Sequence, residues 1–268
     1  HSLEMMLSSL FREARFPSTT LAEMQAERHP KATGVVYGMS HERYIRTSLY
    51  EIPDLTALGQ TVDYNFEPEV PSISGLNGDG IIGLEFITGF VLHLSRSDDM
   101  LHVYKDARAI DTLGWEVYQG HPVGYGSLGI DMMIDGVRVP MLLELGLSNT
   151  TINWTAAKMI AEQKKGYVLT PEELEKTSGA LNVRSGHGTH RTHGIRLYSP
   201  VLVTDKPWDV PVVAVANLPL ATELALNKEK PSGFMGMDVL QGRDFAIDMR
   251  TWRLFLGPKV TRQTAQAN

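Results

Sequence analysis

Three histidines, His187, His190 and His193, recur at every third position of Gly186-His187-Gly188-Thr189-His190-Arg191-Thr192-His193-Gly194. Imidazoles so spaced would bind zinc or copper if the loop folded around the ion. Arg184, Arg191 and Arg196 stand among them and repel a cation. A plain exposed loop, or one that meets an anionic partner, is therefore favoured, and no metal or other cofactor is expected. The chain has no cysteine, which removes disulfides, thiolate nucleophiles and thiolate metal sites together. Asn149-Thr150-Thr151 and Asn153-Trp154-Thr155 match the glycosylation pattern. Both fall where a buried loop and a helix start are expected, so neither is expected to be used.

Two acids, Glu85 and Asp238, come with a more specific setting. Gly80-Ile81-Ile82-Gly83-Leu84-Glu85-Phe86-Ile87 is written again, 153 residues on, as Gly233-Phe234-Met235-Gly236-Met237-Asp238-Val239-Leu240. The register continues without a gap: Gly89 matches Gly242, Leu94 matches Ile247, Leu101 matches Leu254 and Val103 matches Leu256. A lone Gly-apolar-apolar-Gly says little, but two copies in register mark an internal duplication. Gly80, Gly83, Gly233 and Gly236 are read as structural, with Gly83 and Gly236 at close approaches of two backbones.

The elements around these motifs are short. Leu3, Met6, Leu7, Leu10, Phe11 and Ala14 have helical spacing, so a helix is expected over residues 3–15, ended by Pro17. Thr20, with Glu23 three residues on, is expected to open a second helix through a capping box. Residues 35–37, 45–50 and 61–66 read as strands, and 90–95 with 100–104 as a hairpin. Asp135-Gly136 lies between two alternating apolar runs and predicts a tight primed turn. Helices are expected at 152–163, after Thr170-Pro171 and at 219–227, and strands at 195–203 and 210–216. The expected organisation is a first lobe over 1–104 lacking its first strands, a connection over 105–122, a second lobe over 123–257 and a polar tail over 258–268.

Composition bounds the function. With 268 residues, 43% of them hydrophobic and 21% charged, the chain has the make-up of an ordinary globular protein. Its net charge of -6 argues against a nucleic-acid partner, which requires a basic face. No apolar run reaches the ~18 residues of a membrane span. No signal peptide is visible, and an intracellular site, cytoplasmic or inside an organelle such as the plastid stroma, is expected instead of secretion.

Two lobes that each end in Gly-apolar-apolar-Gly-apolar-acid and a hairpin resemble the aspartic protease fold, and its disulfide-free retropepsin-like branch most. The resemblance implies a mainly β chain of two duplicated lobes with short helices, related by a pseudo-two-fold axis. It also implies an Asp-Thr-Gly-Ala-Ser loop after an early hairpin in each lobe. That place is taken here by Leu143-Glu144-Leu145-Gly146-Leu147-Ser148. Gly146 and Ser148 match; Glu144 replaces the aspartate, Leu145 the threonine and Leu147 the alanine. The family's two carboxylates share a proton and activate water. Glutamate displaces its carboxylate by roughly a bond length, where ~1 Å can cost 100-fold. Leu145 removes the hydroxyl that braces the two loops. By the repeat offset, residue 1 aligns near Thr151, so the first lobe's loop is expected to be missing. Neither Asp-Thr-Gly nor Asp-Ser-Gly occurs in the chain. The three histidines correspond to the family's flap.

The reading is a pseudoprotease with no catalytic residues, in which Glu144, Leu145, Gly146 and Ser148 form a vestigial loop. It acts through contacts with itself or another protein, as a structural, self-assembling or scaffold subunit. One alternative is an active aspartic peptidase that uses Glu144 with an acid from a missing segment or a second chain. Another is a peptide-binding module that keeps the cleft without cutting.

Overall fold

Asp135 and Gly136 take φ of 47° and 86°, the backbone of a two-residue primed turn, which matches the twist of the strands it joins. The computed structural model describes residues 5–8, 14–36, 45–52, 55–61, 67–70, 79–96, 98, 100–163, 181–185, 188–196, 201–203, 206–208, 210, 212–218, 230–240 and 242–259. The turn closes a hairpin of Ser127–Ile134 with Val137–Leu143, in the register Ile134↔Val137 to Gly129↔Leu142. Its alternating residues Leu128, Ile130, Met132, Ile134, Val137, Val139 and Met141 are all buried in one core. The hairpin lies within a ten-stranded sheet. Trp154–Gln163 is a helix that buries Ala156, Ala157 and Ile160. Asn153 starts it: its Oδ1 accepts from Ala156 N–H at 2.8 Å and from Ser232 N–H at 3.2 Å, while Nδ2 donates to Lys230 O at 2.7 Å.

The first half repeats this on a smaller scale. Met5–Leu7 pairs in parallel with Gly80–Ile82. A four-stranded sheet follows the order Phe16–Pro17, Glu67–Val70, Ile45–Glu51, Glu27–Val36. Ala14, Phe16, Leu21, Ile52 and Phe86 form its core.

A five-stranded sheet joins the halves, in the order Met100–Tyr104, Val91–Ser95, Arg243–Asp248, Arg253–Lys259, Glu116–Gln119. At the seam Leu94 pairs with Phe245, His93 with Ala246 and Leu92 with Ile247. His93 and Ala246 are themselves 153 residues apart, as are Leu92 and Phe245, and Leu94 and Ile247. Exchanging the halves therefore maps the seam onto itself, with a local two-fold axis between His93 and Ala246. The connection after residue 104 is part of this sheet, since Glu116–Gln119 pairs with Arg253–Leu256 partners along its edge. Its Tyr118 is buried and accepts from Trp208 Nε1 at 2.8 Å; burial, with Glu116 beside it, pushes the phenol up to about 12.

Several local expectations change. The helix expected over 3–15 is replaced where described by the strand Met5–Leu7 and an isolated bridge from Arg15 to Ile81. A short apolar run suits helix or strand equally by spacing alone, and pairing with Gly80–Ile82 decides it. The second helix is Ser18–Glu23, entered directly from Pro17 without a side-chain cap, so Thr20 lies inside it. Residues 195–203 divide between Gly188–Arg196 and Val201–Val203. The last strand runs through Pro258 to Lys259, so that part of the expected tail is ordered pairing. The helices expected after Thr170 and at 219–227, and residues 62–66, lie outside the described residues. Among the described residues no helix is long and apolar enough to cross a membrane.

Candidate functional site

Glu144 leaves the end of Val137–Leu143, and Ser8 leaves the end of Met5–Leu7. The two strands are equivalent. Met141, Leu142 and Leu143 pair in parallel with Gly233, Phe234 and Met235, while Met5, Met6 and Leu7 pair in parallel with Gly80, Ile81 and Ile82. Glu144 N–H donates to Met235 O, and Ser8 N–H to Ile82 O, both at 2.9 Å. On the far side of each loop Thr151 pairs with Phe234 and Arg15 with Ile81. The offset across this loop is therefore 136 residues, as between Ser8 and Glu144, and not 153. That corrects the expectation that the chain starts beyond the first lobe's loop. Its counterpart begins at Ser8, and Arg15, not residue 1, answers Thr151. The halves differ in length between loop and glycine motif, so an offset taken at the glycines fails at the loop.

Both loop ends are braced by the repeated acid. Thr150 donates to Asp238 from its N–H at 2.9 Å and its hydroxyl at 2.7 Å, and Ala14 N–H donates to Glu85 Oε1 at 3.2 Å. Burial lifts the Asp238 carboxyl above its ordinary value, against the pull of the hydrogen bonds from Thr150 and Val239. Gly236 is required here: a Cβ on it would come within 2.5 Å of the Asn149 carbonyl carbon and 2.8 Å of Thr150 N. At Gly233 a Cβ would meet Thr151 O at 2.6 Å. Gly80 and Gly83 hold the matching places; Gly83 has φ -94° and ψ -174°, against -89° and -177° at Gly236.

These supports bring two side chains together across the halves. Ser8 Oγ donates to Glu144 Oε2 at 3.1 Å, and Gly146 N–H donates to Glu144 Oε1 at 3.1 Å. Both residues are buried, Ser8 at 2% and Glu144 at 4% exposure. The pair is one carboxylate and one hydroxyl. A serine hydroxyl donates to a carboxylate but is not a second acid, so this pair cannot share a proton as two carboxylates do. Leu147 is fully buried, Leu145 packs partly buried against the main core, and Ser148 Oγ donates to Asn149 Oδ1 at 2.7 Å.

Ser8 is the site residue that sequence reasoning missed. The signal was present, since Met5-Met6-Leu7-Ser8 parallels Met141-Leu142-Leu143-Glu144, but the assumed helix hid it. Of the three histidines, His187 lies outside the described residues. His190 and His193 fall on Gly188–Arg196. Among the described residues no group of three metal-ligating side chains occurs. Asn153 is committed to its cap and to Ser232.

No family model matches the chain, and no curated protein does. Among solved structures it is similar to a retropepsin-like aspartic protease from Rickettsia conorii, at 16% identity and a TM-score of 0.32, covering 53% of this chain and 90% of that one. A likeness this weak carries no argument. The architecture itself is mainly β, in several sheets.

Proposed function

We propose that the protein is a non-catalytic member of the aspartic-protease-like kind that works through protein–protein contacts, as a structural or self-assembling subunit. The observation that carries this is Ser8, which stands where a second carboxylate would have to stand and hydrogen-bonds Glu144. The same observation counts against a peptidase completed by a borrowed acid, because the chain itself fills the place. Support for self-contact comes from the surface. The outer strands of the five-stranded sheet expose Met100, Leu101 and Val117 at 56%, 37% and 48%, and edge strands are ready templates for pairing. Two similar halves also offer two similar faces for repeated contacts.

The test is hydrolysis of a denatured protein substrate between about pH 4 and 6, on the acid side where a carboxyl pair can share one proton, with Glu144→Gln as control. The proposal expects no cleavage above background from either protein. Cleavage by the wild type that Glu144→Gln abolishes overturns it.

A further inference from the structure

His93 lies at the axis where the halves meet, paired with Ala246 across the seam and with His102 on its other side. Both of its ring nitrogens are buried, and neither has a hydrogen-bond partner among the described residues. The ring is walled by aromatic groups: Trp115 at 5.6 Å, His102 at 5.8 Å and Tyr104 at 6.3 Å between centroids. A neutral imidazole tolerates such a place, whereas a second proton would put a charge where no acceptor waits for it.

The charged and titratable groups around it divide in sign. From Met100–Tyr104 come His102 and Tyr104, and His102 is itself held by Asp98 at 2.9 Å. From Arg243–Asp248 comes Asp244, whose Oδ1 already accepts from Arg96 N–H at 2.6 Å. The connection contributes Trp115, which does not titrate. Burial is the largest influence and, with repulsion from His102, outweighs the attraction of Asp244 and Asp98, so His93 gains its proton less readily than an ordinary imidazole.

We propose that His93 is an acid-sensitive latch on the joint between the halves: neutral, it lets Val91–Ser95 pair with Arg243–Asp248, and its protonation loosens that pairing. The repeat supports the idea, because the equivalent of His93 is Ala246, so the axis holds one titratable ring with no counter-charge from its image. The sign follows from the depressed affinity for the proton. Seam stability is complete above the ordinary imidazole range of about 6.5 and is lost as pH falls from there through the folded value.

Two measurements on the full chain test this. In an NMR titration of the imidazoles, the His93 ring is expected to titrate below about 6.5, the value of a free imidazole. Amide hydrogen exchange of Leu92, Leu94, Phe245 and Ile247, corrected for intrinsic rates, is expected to rise about tenfold per pH unit through the transition in the wild type. His93→Phe fills the site without titrating and is expected to abolish that rise. A His93 ring that titrates at or above the free value, an exchange profile that ignores its titration, or the same acid response in His93→Phe would each overturn the latch. The ring titration needs no variant, so the proposal stays testable if His93→Phe does not fold.

Discussion

Glu144 has a donor on each oxygen, the Ser8 hydroxyl from the other half and the Gly146 amide from its own loop. Replacing Ser8 by aspartate would set a second carboxylate against it in a buried place. Two such groups cannot both ionise cheaply, so Ser8→Asp is expected to lower stability at neutral pH by about 2–4 kcal/mol, with part recovered near pH 5 as the pair shares a proton. Urea denaturation at the two pH values reads this directly, and a loss that is equal at both would contradict it. Asp248 carries a pH dependence of the opposite kind. It is fully buried; burial pushes its carboxyl up, but Thr251, the Arg250 amide and the Arg250 charge together bring it below its ordinary value. Its contribution is therefore present above the unfolded carboxyl range and is lost as pH falls below about 4. Asp248→Asn is expected to be less stable than wild type at pH 7, by a gap that narrows steadily as pH falls below about 4, as followed by thermal melting.

At the scale of elements, the glycine motif and the Asn153 cap carry the loops that hold Glu144. Gly236→Ala would drive a methyl group into the backbone of Asn149 and Thr150, with no flexible side chain to yield. A loss of about 3 kcal/mol or more is expected, measured as a shift of the denaturation midpoint. Asn153→Ala removes the helix cap and strands Ser232 N–H and Lys230 O; about 2–3 kcal/mol is expected from cap and buried partners together. Elements with a local cause were legible in the sequence. Asp135-Gly136 specifies its turn through positive φ, and the hairpin of 90–95 with 100–104 shows as two apolar runs on either side of a polar stretch. Met5–Leu7 was not legible, because three residues carry no period, and its strand state comes from Gly80–Ile82, far away in the chain. Ser8 follows directly on that strand and is hidden with it. Glu144 was legible as an acid after a hairpin, but its partner was not, since nothing local to either residue records a contact 136 positions away.

At the scale of the whole molecule, two unequal halves meet in one sheet whose pairing is symmetric about His93 and Ala246. The sheet's two outer strands come from the first half's hairpin and from the connection, so a neighbour that extends the sheet would meet different residues at each end. Assembly through the Met100–Tyr104 edge predicts a light-scattering mass above the 29.7 kDa of one chain and a fall toward that value in Leu101→Lys. A wild-type mass equal to one chain under all concentrations would contradict self-assembly while leaving the contact of Ser8 with Glu144 untouched. The central claim is the meeting of Ser8 with Glu144 across the halves, and a double-mutant cycle of Ser8→Ala with Glu144→Leu tests it most directly. A coupling of about 1–2 kcal/mol in unfolding free energy is predicted for one buried hydrogen bond to a carboxyl group. Losses that simply add, within about 0.3–0.5 kcal/mol, would contradict it.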